Sequence, residues 1–406
     1  MPKTIALVGA LDTKGKEFAF VKAEIERLGH RALVIDTSVV GEPAFEPDIP
    51  AAQVAEAGGF GLAELRTKAD RGAAMEVMTR GIAVVVKDLY DKGQIDGVLG
   101  MGGSAGTVIG TSAMRALPIG VPKVMVSTLA SGDVKPYVGT KDVVMIHSVV
   151  DVAGVNQVSA RIYANAVGAI AGMVEIAAPQ IESKPLIAAS MFGNTTPIVT
   201  RCRETFEKHG YDVLVFHAVG TGGMTMEDLI RAGYVDGVAD ITTTEWADEL
   251  VGGVLTAGPT RLDAASERGV PQVIAPGCLD MVNFWAHDTV PEKFNDRIFY
   301  RWNPNVTLMR TTPQENAELG RILAEKANES KGPVAFFLPL KGVSMLDAPD
   351  KEFWWPEADA ALFDAIKQHR RPDIPVYELD HNINDDRFAD AMAEKLLEFL
   401  REGLTT

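Results

Sequence analysis

Short β-branched runs alternate with amphipathic stretches along most of the chain. Residues 5–8 form an apolar run of strand length, residues 15–28 carry helical spacing, and residues 32–35 are strand-like again. Gly29, just past the helix, suits a left-handed C-terminal cap. Met75, Met78, Ile82, Val85, Val86 and Leu89 recur at i+3/i+4 and predict a helix over 72–90. A strand at 98–99, a helix over 104–117 and a strand at 123–126 follow. Such alternation builds right-handed parallel βαβ units.

A second run begins near Lys184. It reads as strand 186–189, helix 197–209 and strand 213–216, then segments at 237–239, 245–255 and 273–275. A tail follows: strand 334–338, helix 357–369, strand 376–379 and helix 386–401. Two echoes tie the halves together. Asp96-Gly97-Val98 recurs as Asp236-Gly237-Val238, and Gly120-Val121-Pro122-Lys123-Val124 recurs as Gly269-Val270-Pro271-Gln272-Val273. The pattern predicts two similar α/β domains, 1–183 and 184–406, each built on a parallel sheet. The boundary falls in the Pro/polar stretch 179–185.

The length of 406 residues fits two domains of about 200 each. The net charge of −16 argues against coating a nucleic acid or an anionic membrane. No run of 18 apolar residues exists, so no membrane span is expected, and the N-terminal apolar run is too short for a signal peptide core. Cys202 and Cys278 make neither a disulfide framework nor a cysteine zinc site, and His147 and His217 have no ligand-spaced partners, so no metal site is expected. A reduced, cytoplasmic location fits. The acidity is uneven: residues 1–183 carry 17 basic and 20 acidic residues, net −3, whereas residues 184–406 carry 22 and 35, net −13. A phosphate in the first half therefore meets no strong opposing field.

The first strand ends in Gly9-Ala10-Leu11-Asp12-Thr13-Lys14-Gly15-Lys16-Glu17. The second glycine comes one residue late for a Walker loop and Glu17 stands where Ser or Thr belongs, so P-loop chemistry is rejected. What remains is a polar turn opening a helix, with Lys14 or Lys16 as a point charge for phosphate. Alternatively, Asp12 or Thr13 simply caps the helix. The strongest phosphate cradle is Gly100-Met101-Gly102-Gly103-Ser104-Ala105-Gly106-Thr107, whose glycines admit close backbone approach. A tight, closely packed strand–helix turn is the other reading. Asp36 ends the second strand, where a carboxylate can meet ribose hydroxyls or simply be solvated. The loop Ser127-Thr128-Leu129-Ala130-Ser131-Gly132-Asp133 belongs to the same sheet edge. In the second half Gly220-Thr221-Gly222-Gly223 could mirror the glycine cradle. Cys278 with Asp280 and His287 invites a nucleophile hypothesis against a packing role. His381 lies in a polar turn, where Asp385 or Asp386 could only cap a helix.

These segments together resemble the Tm-one-like ATP-binding domain family. The matching residues are 9–14, 100–107, 127–133, Pro276-Gly277-Cys278-Leu279-Asp280-Met281-Val282-Asn283-Phe284, 305–312, 338–344 and Asp380-His381-Asn382-Ile383-Asn384-Asp385. The resemblance covers essentially the whole chain. It implies two Rossmann-like domains, each a parallel sheet flanked by helices, with a ligand cleft between them and ATP, with or without Mg²⁺, bound in the first domain and facing that cleft. Carried over residue by residue, it puts phosphate contacts on Asp12, Thr13, Lys14, Gly102, Gly103, Ser104, Gly106 and Thr107, with Ser131, Gly132 and Asp133 alongside. Plant members resemble the N-terminal half of the tomato mosaic virus resistance protein, and antiviral function does not transfer on residues alone.

Three functions follow as expectations. The first is an ATP-binding metabolic enzyme acting on a small carboxylate or sugar-derived substrate, with Cys278, Asp280 and His381 as catalytic candidates on the far side of the cleft. The second is a nucleotide-sensing regulator without turnover. The third is a nucleotide-independent hydrolase or lyase using Cys278 or His381. The expected partners are a nucleotide, a small-molecule ligand and a second copy of the chain, with no nucleic acid and no membrane.

Overall fold

A computed structural model describes residues 2–68, 70–177 and 182–403. The chain divides into two units, Met1–Gln180 and Ile181–Thr406. Part of the expected junction 179–185 lies outside the described residues.

In the first unit β1 (Thr4–Gly9) leads through α1 (Leu11–Arg27) to β2 (Arg31–Asp36). The turn between α1 and β2 uses Gly29 at φ 84°, the left-handed cap expected from its position. Three helices follow, α2 (Ala51–Ala57), α3 (Leu62–Lys68) and α4 (Arg71–Asp91), and then β3 (Gly97–Gly102), α5 (Ser104–Arg115) and β4 (Lys123–Ser127). The short α6 (Lys135–Val138), β5 (Val144–His147) and α7 (Gln157–Glu175) complete the unit. The five strands are all parallel, in the order β2-β1-β3-β4-β5. One face buries Val54, Met78, Ile82 and Ile109 from α2, α4 and α5. The other buries Phe18, Val21, Tyr163 and Ile170 from α1 and α7. Both faces being covered explains why residues 5–8 and 124–126 read as continuous apolar runs.

The second unit opens with β6 (Leu186–Met191), α8 (Thr196–Lys208), β7 (Asp212–His217), α9 (Thr221–Arg231) and β8 (Gly237–Thr242). Next come α10 (Glu245–Val251), α11 (Asp263–Arg268) and β9 (Gln272–Gly277). An antiparallel sheet then intervenes, β10 (Met281–Phe284), β11 (Phe299–Asn303) and β12 (Val306–Arg310), in the order β10-β12-β11. The unit closes with α12 (Pro313–Asn328), β13 (Val334–Pro339), α13 (Pro356–His369), β14 (Val376–Leu379) and α14 (Asp386–Gly403). The main sheet is parallel, in the order β14-β13-β9-β8-β6-β7.

Read from β7, that order is the first unit's order with one strand added, and the sequence echoes fall at matching places. Asp96 precedes β3 and Asp236 precedes β8. Asp96 Oδ2 accepts from Thr4 N–H at 2.8 Å, and Asp236 Oδ2 accepts from Leu186 N–H at 2.8 Å. Val98 N–H donates to Pro122 O and Val238 N–H donates to Pro271 O, both at 2.9 Å. The glycines opening the second echo, Gly120 and Gly269, both have positive φ. The two units thus repeat one topology, down to the bonds that seat their third strands.

Candidate functional site

The turn from β1 into α1 has no side-chain cap of its own. Its donors are met from the end of β2. Asp36 Oδ1 accepts from Leu11 N–H at 3.1 Å and Ser38 N–H at 3.0 Å, and Ser38 Oγ accepts from Asp12 N–H at 2.9 Å. Asp36 is buried. It therefore holds the α1 entrance together and is not the solvated strand-end carboxylate of the second reading. Neither Asp12 nor Thr13 caps α1; Asp12 Oδ2 accepts from Gly41 N–H at 2.9 Å.

The entrance to α5 is different. Gly103 stands at its N-cap in an extended conformation without a side-chain cap. The N–H groups of Ser104, Ala105 and Gly106 have no partner among the described residues. Free donors at the start of a twelve-residue helix form a site for an anion. The two readings of this glycine loop apply to different residues. A Cβ on Gly102 would lie 2.8 Å from Gly106 Cα, so Gly102 and Gly106 let strand and helix touch. At Gly103 the nearest atom would be 3.8 Å away, so that glycine is not demanded by packing. The Thr107 hydroxyl is turned inward, 2.7 Å from both Gly103 O and Ser127 Oγ.

Beside this helix start lies a cavity of about 450 Å³, lined by Ala10, Thr37 and Gly106, which follow β1, β2 and β3. That is the edge where strand order reverses direction between β1 and β3, the usual crevice of an open parallel sheet. Val39, Val40, Leu65, Ala74, Met75 and Ile109 give it apolar walls. Four charged residues line it: Asp12, Arg66, Asp70 and Arg71. Asp70 caps α4, accepting from Gly72 and Ala73 N–H. Arg66 is engaged with the 39–42 loop, donating to Val39 O, Gly41 O and Glu42 Oε1 at 2.8–2.9 Å. Arg71 is exposed and has no hydrogen-bond or ionic partner among the described residues.

Of the residues expected at phosphate, Asp12, Thr13 and Gly106 line the cavity, and Gly102, Gly103, Ser104 and Thr107 belong to the α5 entrance. Lys14 is half-buried at a non-helical kink in α1 and does not line it. Ser131, Gly132 and Asp133 are exposed beyond β4, with Asp133 Oδ1 accepting from Lys135 N–H at 3.0 Å. Arg66, Arg71 and the apolar wall were not singled out from the sequence. Arg71 follows a capping Asp at the head of the 72–90 periodicity, a pattern that says helix start and nothing more.

In the second unit the matching glycine loop is already filled. Gly220 and Gly223 N–H donate to Glu245 Oε1 at 2.8 and 3.0 Å. Glu245 Oε2 accepts from Arg261 Nε at 2.8 Å, and Arg261 also forks onto Asp240 at 2.6 Å on both terminal nitrogens. This loop is an anion nest that holds the chain's own carboxylate. Cys278 is fully buried in the turn after β9 at φ 57°. Burial and the neighbouring Asp280 push its thiol well up, away from the nucleophilic thiolate. Asp280 is buried too, accepting from Ser344 Oγ at 2.8 Å. Burial raises its pKa and so, next, does Asp347; Asp347 and Asp359 both contact Arg310. His381 lies after β14, partly exposed, 3.3 Å from Asp385. No group of three or more His, Cys, Asp or Glu among the described residues is arranged for a metal ion. No helix among them is long and apolar enough to cross a membrane.

The molecule is a two-unit Rossmann-like α/β protein with an apolar cavity and a free helix start at one sheet's switch point. The chain belongs to the Uncharacterised protein family (UPF0261): residues 3–179 match its N-terminal domain and residues 184–400 its C-terminal domain. A UPF0261 protein of Clostridium tetani is 53% identical over 99% of this chain and 100% of its own length. One from Rhizobium meliloti is 46% identical over 96% of this chain and 97% of its own. The ToMV resistance protein Tm-1(GCR237) of Solanum lycopersicum is 39% identical over 96% of this chain, which spans 55% of the tomato protein.

Proposed function

We propose that the first unit binds a nucleotide, with ATP as the first candidate, in the cavity at the β1/β3 edge. One observation carries the reading. The N–H groups of Ala105 and Gly106, with that of Ser104 just before them, and the guanidinium of Arg71 are all without a partner among the described residues, and Ala105, Gly106 and Arg71 line the same cavity as a six-residue apolar wall. An anion at the helix start and a flat apolar base against Val39, Met75 and Ile109 use both halves of that surface. Arg71 supplies the counter-charge that the missing Walker lysine would otherwise give. Asp12 and Asp70 each keep one oxygen without a partner among the described residues. Such oxygens fit a Mg²⁺ that arrives on the phosphates and keeps most of its waters.

Two roles remain for the bound nucleotide. In an enzyme it would drive transfer or ligation on a small carboxylate or sugar-derived substrate. In a regulator it would only be sensed. The regulator is favoured by one fact: the cavity's carboxylates, Asp12 and Asp70, have no His, Cys or Lys beside them among the described lining residues to complete an acid–base pair. A hydrolase or lyase built on Cys278 draws no support from a buried, protonated thiol. Thermal denaturation with ATP, ADP, AMP or NAD, each with and without Mg²⁺, tests the nucleotide reading. A ligand at 100 times its Kd adds about 2.7 kcal/mol of stability. A melting temperature unmoved by all four overturns it.

A further inference from the structure

The loop that follows β2 is held over the cavity from two sides. From one side Arg66, on α3, donates to Val39 O at 2.9 Å, Gly41 O at 2.8 Å and Glu42 Oε1 at 2.9 Å. From the other, Asp12 Oδ2 accepts from Gly41 N–H at 2.9 Å. Between these anchors Val40 stands 89% exposed, yet it lines the cavity. A β-branched apolar side chain gains nothing in water and gains by covering an apolar ligand. The anchors are on the backbone on either side of Val40, so its side chain is left free.

We infer that residues 39–42 form a cover for the cavity. Arg66 is the residue that positions it, and Val40 is the side chain that closes on the base of a bound nucleotide. Arg66 and Arg71 then divide the work: the first holds protein, the second is left for the ligand's charge. This rests on the nucleotide reading above. It adds that the site is gated and that the loop's own backbone, not the ligand, is what Arg66 recognises.

Val40→Trp tests the closure, because the chain's five tryptophans all lie between residues 246 and 355 and none shares a unit with the reporter. With ATP at saturation the added indole should shift to the blue and lose about half or more of its acrylamide quenching, as burial removes it from water. Arg66→Met tests the positioning without any ligand. Hydrogen–deuterium exchange of the Gly41 N–H, which Asp12 Oδ2 accepts, should be about tenfold faster once three hydrogen bonds from Arg66, one of them to a carboxylate, are lost. Calorimetry on the wild-type chain separates the two claims. ATP binding, with the indole of Val40→Trp left open to the quencher, sinks the cover and leaves the site standing. No binding of ATP sinks both the site and the closure. Unchanged exchange at Gly41 in Arg66→Met removes Arg66 from its role whatever the ligand does.

Discussion

Glu245 Oε1 sits 2.8 Å from Gly220 N and 3.0 Å from Gly223 N, so a glutamate of the chain fills the anion nest of its own second unit. A Cβ on Gly223 would fall 2.1 Å from Glu245 Oε2, which shows how closely the loop has folded onto the carboxylate. Replacing Glu245 by Ala removes the acceptor of two buried N–H groups and one of the partners of Arg261. The expected loss is about 3 kcal/mol in urea denaturation. The variant should also gain stability from added phosphate where the wild type gains none in this unit. A loss within about 0.5 kcal/mol, the range of an ordinary surface change, would mean the nest is not held by Glu245.

Gly102 and Gly103 are adjacent but should respond oppositely. Gly102→Ala forces a Cβ to 2.8 Å from Gly106 Cα and should destabilise the first unit by about 1–3 kcal/mol. Gly103→Val has room, with nothing nearer than 3.8 Å, and φ −79° suits any residue. It should melt within a few degrees of wild type while losing nucleotide binding. Circular dichroism melts of both variants, with ATP titrations of the second, check the contrast.

The fold was legible because both units are repeated βαβ runs with strong periodicity. The 72–90 helix, the glycine cap at Gly29 and the two echoes each had a direct physical signal. The antiparallel sheet β10–β12 was not legible. Its first strand, Met281 to Phe284, sits inside a run read as a functional loop, and four-residue strands carry too little alternation to register. Helix α12 was missed although Thr312 and Glu315 form a capping box ahead of it. At the site, sequence found the polar loops but not what they do. Nothing in Val34-Ile35-Asp36 says that its carboxylate will reach the start of α1, a contact 25 residues away along the chain. Nothing in Asp70-Arg71-Gly72 says that Arg71 will find no partner among the described residues, since that depends on what every neighbouring element presents to it.

Stability should fall as pH rises through the acid-to-neutral range. Burial holds Asp248 up at about 7, and burial also raises Asp280, Asp347 and Asp359 around Arg310. A carboxyl whose folded pKa exceeds its unfolded value of about 4 binds more protons when folded. Its stabilising effect is complete below about pH 4 and is lost as pH climbs to about 7 for Asp248. Asp248→Asn, which mimics the protonated form, should flatten this slope in urea titrations between those limits. A slope of equal size in the variant would assign the effect elsewhere.

Neither cysteine should react with Ellman's reagent in the native protein, because Cys202 and Cys278 are both fully buried and both thiols are pushed up. Both should react once the chain is unfolded. Rapid labelling of Cys278 in the native state would restore its claim to chemistry.

The central claim is that Arg71 and the α5 helix start hold the charged end of a nucleotide. Isothermal titration of ATP into wild-type and Arg71→Met protein tests it most directly. The wild type should bind, and the variant, with an unchanged melting temperature, should bind about 10- to 100-fold more weakly, the loss expected for one charged hydrogen bond. Equal Kd values in the two proteins, or no binding heat in the wild type, would contradict it.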